Sequence, residues 1–404
     1  MAEIVHNVDL APRHKGFEPC AVRGYDVALF TGNWFAAYST DSGNTFRSLD
    51  PNGLLRNEGE SLCCDQRVEF VPSINTFAWV LLSNEGPFAL AVASPDEIRN
   101  SGGRNWTYYH VTPELFGFPG STFDYPQISF GYDYLYLTVD VVGGDGDGRA
   151  VIMRMPLGQV AERQTLDVQY ITPQQWYICP SHNTRDVGVF ANFVSDSEIR
   201  VYTWTEDPSA WVFHFDVPVA TVPTLDFSSL TPDNDDWLPP TSKIDWNVTG
   251  AARSSRYLYL AWSAGKLYAD GTPSPITQPH VEWAQIDIAA RSLVTQRYIW
   301  NREFAFAWPS LAANWERDTA IAISLCWGGG EHYPQHAVGT IYPGGNRLLS
   351  TTSGRTAGAG GHYNDIRMDY PDSQQFVAAG FITAKDNASP PKLVNHPHFV
   401  IVEP

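Results

Sequence analysis

Two stretches, YLYLTVD at Tyr134–Asp140 and YLYLAWS at Tyr257–Ser263, are near copies of one another. Both are dense in aromatic, β-branched and small apolar residues without 3.6-residue spacing, as expected of strands buried on both faces. Similar stretches are NWFAAYS at Asn33–Ser39, NTFAWVLLS at Asn75–Ser83, DVGVFANFV at Asp186–Val194, TAIAISLCWGG at Thr319–Gly329 and QFVAAGFITA at Gln375–Ala384. A short polar or proline-containing start precedes each of them: EPCAVRG with Cys20, LCCDQRVEF with Cys64, FDYPQISFG with Tyr125, YICPSHN with Cys179, IDWNVTG with Trp246, FAWPSLAAN with Trp308 and GHYNDIRMD with Tyr363.

Seven units of roughly 40–50 residues match the period of propeller blades. The expected fold is therefore all-β: a seven-bladed β-propeller, with six blades as the alternative, built of four antiparallel strands per blade as a single domain over residues 1–404. The last unit offers only three strands, and EIVHNVDL near the N-terminus supplies the fourth. Pairing the N- and C-terminal strands closes the ring and removes exposed sheet edges. Insertions fall in loops such as GGDGDGR (143–149) and LYADGTPSPITQP (267–279), while SPDEIRNSG and PLGQVAERQ read as short helical turns.

Composition narrows the partners. A net charge of −18 repels phosphate backbones and polyanions, so no nucleic acid is expected. No stretch is apolar enough to span a bilayer, and the first residues lack the apolar core of a signal peptide. The chain reads as soluble with no membrane partner, either cytoplasmic or mature secreted. Five cysteines without C-x-x-C spacing argue against a disulfide framework, and the adjacency of Cys63 and Cys64 argues against a bridge between them. Buried free thiols are the expectation.

STDSGNTF at Ser39–Phe46 fits the pattern Ser-x-Asp-x-Gly-x-Thr-aromatic. Physically, Asp41 accepts backbone N–H bonds in a tight hairpin, Gly43 permits a positive φ, and Phe46 packs into the blade. The chain thereby resembles the sialidase-like propellers that carry Asp-box (BNR) repeats, and ASPDEIRNSGGRNW at Ala93–Trp106 is similar to an interrupted second copy. The resemblance implies a propeller with its ligand face away from these hairpins. The Arg-Ile-Pro segment of true sialidases is absent.

In such a fold the blade starts converge on the central channel. Arg23, Arg67 and Arg367 fall at similar offsets in neighbouring units and are the candidates to clamp a carboxylate, the alternative being pairing with nearby aspartates. Asp124, Asp245 and Asp365 are the candidate ligands of a hard cation, Ca²⁺, and no organic cofactor is expected. His182, His362, Tyr363 and Asp65 are the candidate catalytic groups. Tyr125, Trp246 and Trp308 supply a stacking platform for a sugar or other flat ligand, or else pack blade on blade. Asn105-Trp-Thr107, Asn247-Val-Thr249 and Asn387-Ala-Ser389 match the glycosylation pattern, a short one that arises by chance. The expected function is a carbohydrate-active enzyme, hydrolase or lyase, acting on a saccharide at the channel mouth. The alternatives are a lectin-like or interaction propeller without turnover, and an enzyme acting on another small-molecule ligand.

Overall fold

In the computed structural model seven four-stranded antiparallel sheets surround a central channel. The structure describes residues 2–10, 18–54, 60–182, 184–238, 246–314, 321–351, 363–372, 374–385 and 393–403. From the channel outward, blade 1 is Cys20–Gly24, Val27–Gly32, Phe35–Ser39 and Arg47–Leu49, and blade 2 is Leu62–Val71, Thr76–Ser83, Phe88–Ala93 and Thr107–Val111. Blade 3 is Thr122–Phe130, Tyr134–Val142, Arg149–Pro156 and Gln169–Ile171; blade 4 is Cys179–Pro180, Val187–Ser195, Glu198–Thr205 and Phe213–Pro218. Blade 5 is Val248–Arg253, Tyr257–Ala264, His280–Asp287 and Ser292–Ile299; blade 6 is Ala305–Ala313, Ile321–Gly329, His332–Tyr342 and Gly345–Ser350. Blade 7 joins Asp365–Met368, Phe376–Lys385 and Leu393–Glu403 to Glu3–Asp9. Each inner strand touches the next one round, including that of blade 7 against that of blade 1, so the ring has seven members and is closed.

The core lies between blades. Leu90, Val92, Leu135 and Leu137 fill the space between blades 2 and 3, and Leu258, Leu260 and Val201 that between blades 4 and 5. The near-copies at 134–140 and 257–263 are second strands of blades 3 and 5, buried almost throughout. In six units the dense apolar stretch is the second strand. Blade 1 differs: its second strand is Val27–Gly32, and Asn33–Ser39 supplies the third. Two tight turns bring two short apolar strands together there, and composition does not rank them.

The hairpin between the third and fourth strands of blade 1 is the Ser39–Phe46 turn. The Asp41 carboxylate accepts the Thr45 N–H at 2.9 Å and the Thr45 hydroxyl at 2.6 Å, and Ser39 Oγ accepts the Gly43 N–H at 2.9 Å. Gly43 has φ +87°, and a Cβ there would stand 2.5 Å from the Phe399 ring. Phe46 packs on Phe399 with ring centroids 5.1 Å apart. The equivalent turn of blade 2 is a helix instead, Pro95–Ser101, capped reciprocally by Ser94 and Glu97. Leu157–Ala161 is a further short helix, in blade 3. No helix among the described residues is long and apolar enough to cross a membrane.

Cys63 and Cys64 form a disulfide, against the sequence expectation, at a point where the inner strand of blade 2 leaves its ladder between Leu62 and Gln66. Cys20, Cys179 and Cys326 are buried free thiols, as expected.

Phe399 is fully buried at the seam where blade 7 meets blade 1, against Phe30, Phe46 and His6. Phe399→Ala is expected to cost about 3–5 kcal/mol, read as a lower denaturant midpoint. A loss below about 1 kcal/mol would mean that the seam is held elsewhere.

Candidate functional site

The inner strands run side by side in one direction, so their first residues gather at one end of the channel. Ladder pairing begins or resumes at Cys20, Gln66, Gln127, Cys179, Gly250, Ser310 and Asp365. Two residues earlier stand Glu18, Cys64, Tyr125, Tyr177, Val248, Trp308 and Tyr363. In four blades this residue is left-handed: Glu18, Tyr125, Tyr177 and Trp308 have φ of 58°, 49°, 56° and 55°. Such a conformation costs a non-glycine residue on the order of 1–3 kcal/mol and, next to a bulge, aims a side chain off the strand. All four line one cavity of about 230 Å³.

Its remaining walls are Tyr363, Asp65, Asp124, Asn33, Asn247 and Thr249. Three acids thus share a space walled by four aromatic rings, with Tyr125 edge-on to both Tyr177 and Tyr363 at 5.2 and 5.6 Å. Burial and then the Glu18 carboxylate hold the Asp65 carboxyl well above the usual range. A hydrogen bond with Glu18 and the charge of Asp124 act in the same sense. Tyr363 donates to Asp65 Oδ2 at 2.7 Å and pulls the other way. The Tyr363 phenol is itself pushed well up, by burial and then by Asp65, so it stands as a neutral donor. Asp124 Oδ1 accepts the Tyr125 N–H at 2.9 Å. Asn33 Oδ1 is buried without a hydrogen-bond partner among the described residues, and so is Trp308 Nε1.

Beneath the cavity the channel is filled by charge. Arg367 donates to Asp365 at 2.9 Å, to Glu69 at 2.7 Å, to the Ile128 carbonyl at 2.9 Å and to His182 Nδ1 at 2.8 Å. Cys20 donates its S–H to Asp365 at 2.9 Å, and burial pushes that thiol up to about 12. Burial holds His182 well below its usual range, so it serves as a neutral acceptor for Arg367. Arg67 stands over the Tyr363 ring, its Cζ 3.9 Å from the ring centroid, donates to the Pro126 carbonyl at 3.2 Å, and leaves Nη1 without a partner among the described residues.

Of the residues singled out in the sequence, Asp65, Asp124, Tyr125, Trp308 and Tyr363 meet in the cavity. His182, Arg367 and Asp365 lie below it. The three arginines do not form one clamp: Arg23 sits at the far end of its strand, in a two-pronged ion pair with Asp369, and Arg367 is consumed by its own carboxylates. Trp246 packs edge-on against Phe193 between blades 4 and 5, and it is the next residue, Asn247, that lines the cavity. Asn247 and Thr249 of the apparent glycosylation triplet both face this space. The three candidate cation ligands are not brought together as a set. Asp365 is held by Arg367 and Cys20. His362 and Asp245 lie outside the described residues. Asp65 and Asp124 carboxylate oxygens come within 4.8 Å of each other and of Cys64 Sγ, but that sulfur is bound in the disulfide and is no thiolate ligand.

Sequence reasoning missed Glu18, Asn33 and Tyr177. A signal for the first existed: Glu18, Tyr125 and Trp308 each precede a proline. Aligning Pro19, Pro126 and Pro309 places Glu18, not Cys20, in the column of Tyr125 and Trp308.

No protein-family model matches the chain, and no curated protein matches it. Solved propellers are similar in fold. "YCF48 bound to D1 peptide" is 9% identical over 98% of this chain and 94% of that one, with a TM-score of 0.50. The α-L-arabinofuranosidase Arb93A from Fusarium graminearum, in complex with an iminosugar inhibitor, is 10% identical, covering 98% and 97%, with a TM-score of 0.46. Trypanosoma rangeli sialidase in complex with the inhibitor DANA is 11% identical over 96% of this chain at a TM-score of 0.36, and the chain spans 55% of its length. At these identities the likeness is one of fold.

Burial raises the Glu69 carboxyl from 4.5 to about 7 despite Arg367. A raised folded value means that the native state holds the proton more tightly, so this contribution is fully present below pH 4.5 and lost as pH rises through 7. Urea midpoints of the wild type minus those of Glu69→Gln are expected to fall across that window. A flat difference would show Glu69 ionised throughout.

Proposed function

We propose that the cavity binds one neutral sugar residue of a glycan and hydrolyses its glycosidic bond. The observation that supports this is the pairing of a carboxyl held protonated, Asp65, with a second acid, Asp124, whose oxygens come within 4.8 Å of it, inside an aromatic-walled pocket. A neighbouring pair of carboxyls, one of them raised by its surroundings so that it can give up a proton, is what acid and nucleophile roles require. Oxygens no more than 4.8 Å apart suit a retaining mechanism better than the roughly 6.5–9.5 Å that admits a water between the carboxyls. In this reading Asp65 donates its proton to the leaving oxygen while Asp124, held by the Tyr125 N–H, attacks the anomeric carbon. Water then enters with Asp65 as base, which releases the sugar and restores both groups. Trp308 and Tyr177 give faces for the ring, and Asn33, Asn247 and Thr249 hydrogen-bond its hydroxyls.

Charge separates this from a uronate lyase or a sialidase. No arginine is among the described residues lining the cavity, and three acids are, so a carboxylated sugar meets repulsion there. A volume of about 230 Å³, below the usual 300–1,000 Å³ of ligand pockets, fits one ring rather than several.

The test is a panel of aryl glycosides of neutral sugars, with Asp65→Asn and Asp124→Asn as controls. Turnover of one sugar class is expected, with a loss of at least about 100-fold in either variant. Undiminished turnover in Asp65→Asn would overturn the assignment, and saturable binding of a sugar recovered intact would make the protein lectin-like. Tyr363→Phe removes the hydrogen bond that favours ionised Asp65, so the alkaline limb of the kcat/KM profile should move to higher pH; a downward shift would contradict the acid role.

A further inference from the structure

A second and larger cavity lies on the outer part of the ring, away from the channel. It is bounded by the outer strand of blade 5, by the segment that follows blade 4, and by the insertion at 267–279 between the second and third strands of blade 5. Its volume is about 860 Å³, well inside the range of ligand sites.

The insertion is a built wall. Leu267 bridges both Leu225 and Pro273, Tyr268 N–H donates to the Thr272 carbonyl at 2.9 Å, and Lys266 anchors its base through Asp226 at 3.0 Å. The floor is equally fixed. His280 and Glu282, both essentially inaccessible, bond each other at 3.3 Å. Gln296 donates to Glu282 at 2.6 Å while accepting the Ala220 N–H at 2.8 Å from the opposite side. On this frame stand two large rings in the open: Trp300 is 47% and Tyr298 41% exposed. A folded chain does not need to leave both standing beside a preformed cavity. Thr221, Thr272 and Ser274 add hydroxyls, and Asp196 and Asp270 add acceptors. No lysine or arginine lines it among the described residues, and its histidine is bonded to Glu282.

We infer that this cavity is a second glycan-binding site, which takes a neutral oligosaccharide of two or three units and tethers a polymer to the propeller. Flat apolar faces next to hydroxyl and carboxylate acceptors match the alternating CH faces and OH edges of a sugar chain, and the acidic lining excludes uronates. The ligand class rests on the glycan-directed reading of the central cavity, which holds one ring and so leaves the rest of a polymer unheld.

The test is affinity gel electrophoresis through laminarin, xylan, arabinan and galactomannan, which reads binding whether or not the protein hydrolyses anything. Wild type and Asp65→Asn should be retarded equally by at least one of these polymers. Trp300→Ala, on an exposed position where folding is not at stake, should weaken retardation about tenfold, and Trp300→Phe should restore most of it. The inference fails if none of the four polymers retards the protein. It also fails if the loss follows Asp65→Asn rather than Trp300→Ala, or if a proline-rich peptide, and no polysaccharide, binds in a Trp300-dependent way.

Discussion

One guanidinium organises the interior. Arg367, 1% exposed, belongs to blade 7 yet bonds Glu69 of blade 2, the backbone of blade 3 and His182 of blade 4, and reaches the Cys20 sulfur of blade 1 at 3.8 Å. A buried charge is tolerated only where its donors are met, and the deletion of one partner leaves an uncompensated ion at a cost of about 3–5 kcal/mol. The surrounding groups are tuned to that condition: Asp365 stays ionised, held below its usual range by Arg367 and Arg67 against its own burial, and His182 stays neutral. Hydrophobic layers hold each pair of adjacent blades, but they act pairwise. The guanidinium is a contact shared by five blades at once, and it makes the floor of the cavity above it a fixed surface.

On that floor the cavity is made by repetition with variation. One structural position, two residues before each inner ladder, recurs around the ring, and in four blades it is bent into the left-handed region. The same bend aims a carboxylate in blade 1, a phenol in blades 3 and 4, and an indole in blade 6. Cyclic geometry converts a column of an alignment into a circle of side chains. The chemistry of the site is therefore decided by which residues fill that column rather than by any contiguous motif.

This also explains what the sequence could tell. Strands such as Tyr134–Val142 were readable because burial on both faces demands unbroken apolar runs, and the closing strand was readable because blade 7 lacked a member. The turn at Asp41 was readable because its bonds are local. Asp65, Asp124, Tyr125, Trp308 and Tyr363 could be placed at the mouth from their position in the repeat. Pairing with nearby aspartates was readable for Arg367, which binds Asp365 two residues away, but Asp369 as the partner of Arg23 and Glu69 as a further partner of Arg367 were not, since ring closure alone brings them near. The Cys63–Cys64 bridge was missed because sequence spacing suggested a poor fit, whereas a break in the ladder between Leu62 and Gln66 frees the local backbone to make it. Glu18 was obscured by a two-residue slip in register.

The pairing of Glu3–Asp9 with Leu393–Glu403 sets an order of events during synthesis. Of these two strands Glu3–Asp9 is made first and is among the last to find its place. At about 5–20 residues per second it waits on the order of 20–80 s while six blades assemble beside it. Throughout that interval the nascent protein is an open arc whose two end blades each leave an apolar sheet face uncovered, and the Arg367 network has no Arg367. Completion of the channel, of its cavity and of the last four-stranded blade is thus a single late step. It makes the protein dependent, while it is being made, on whatever shields an edge strand from its neighbours.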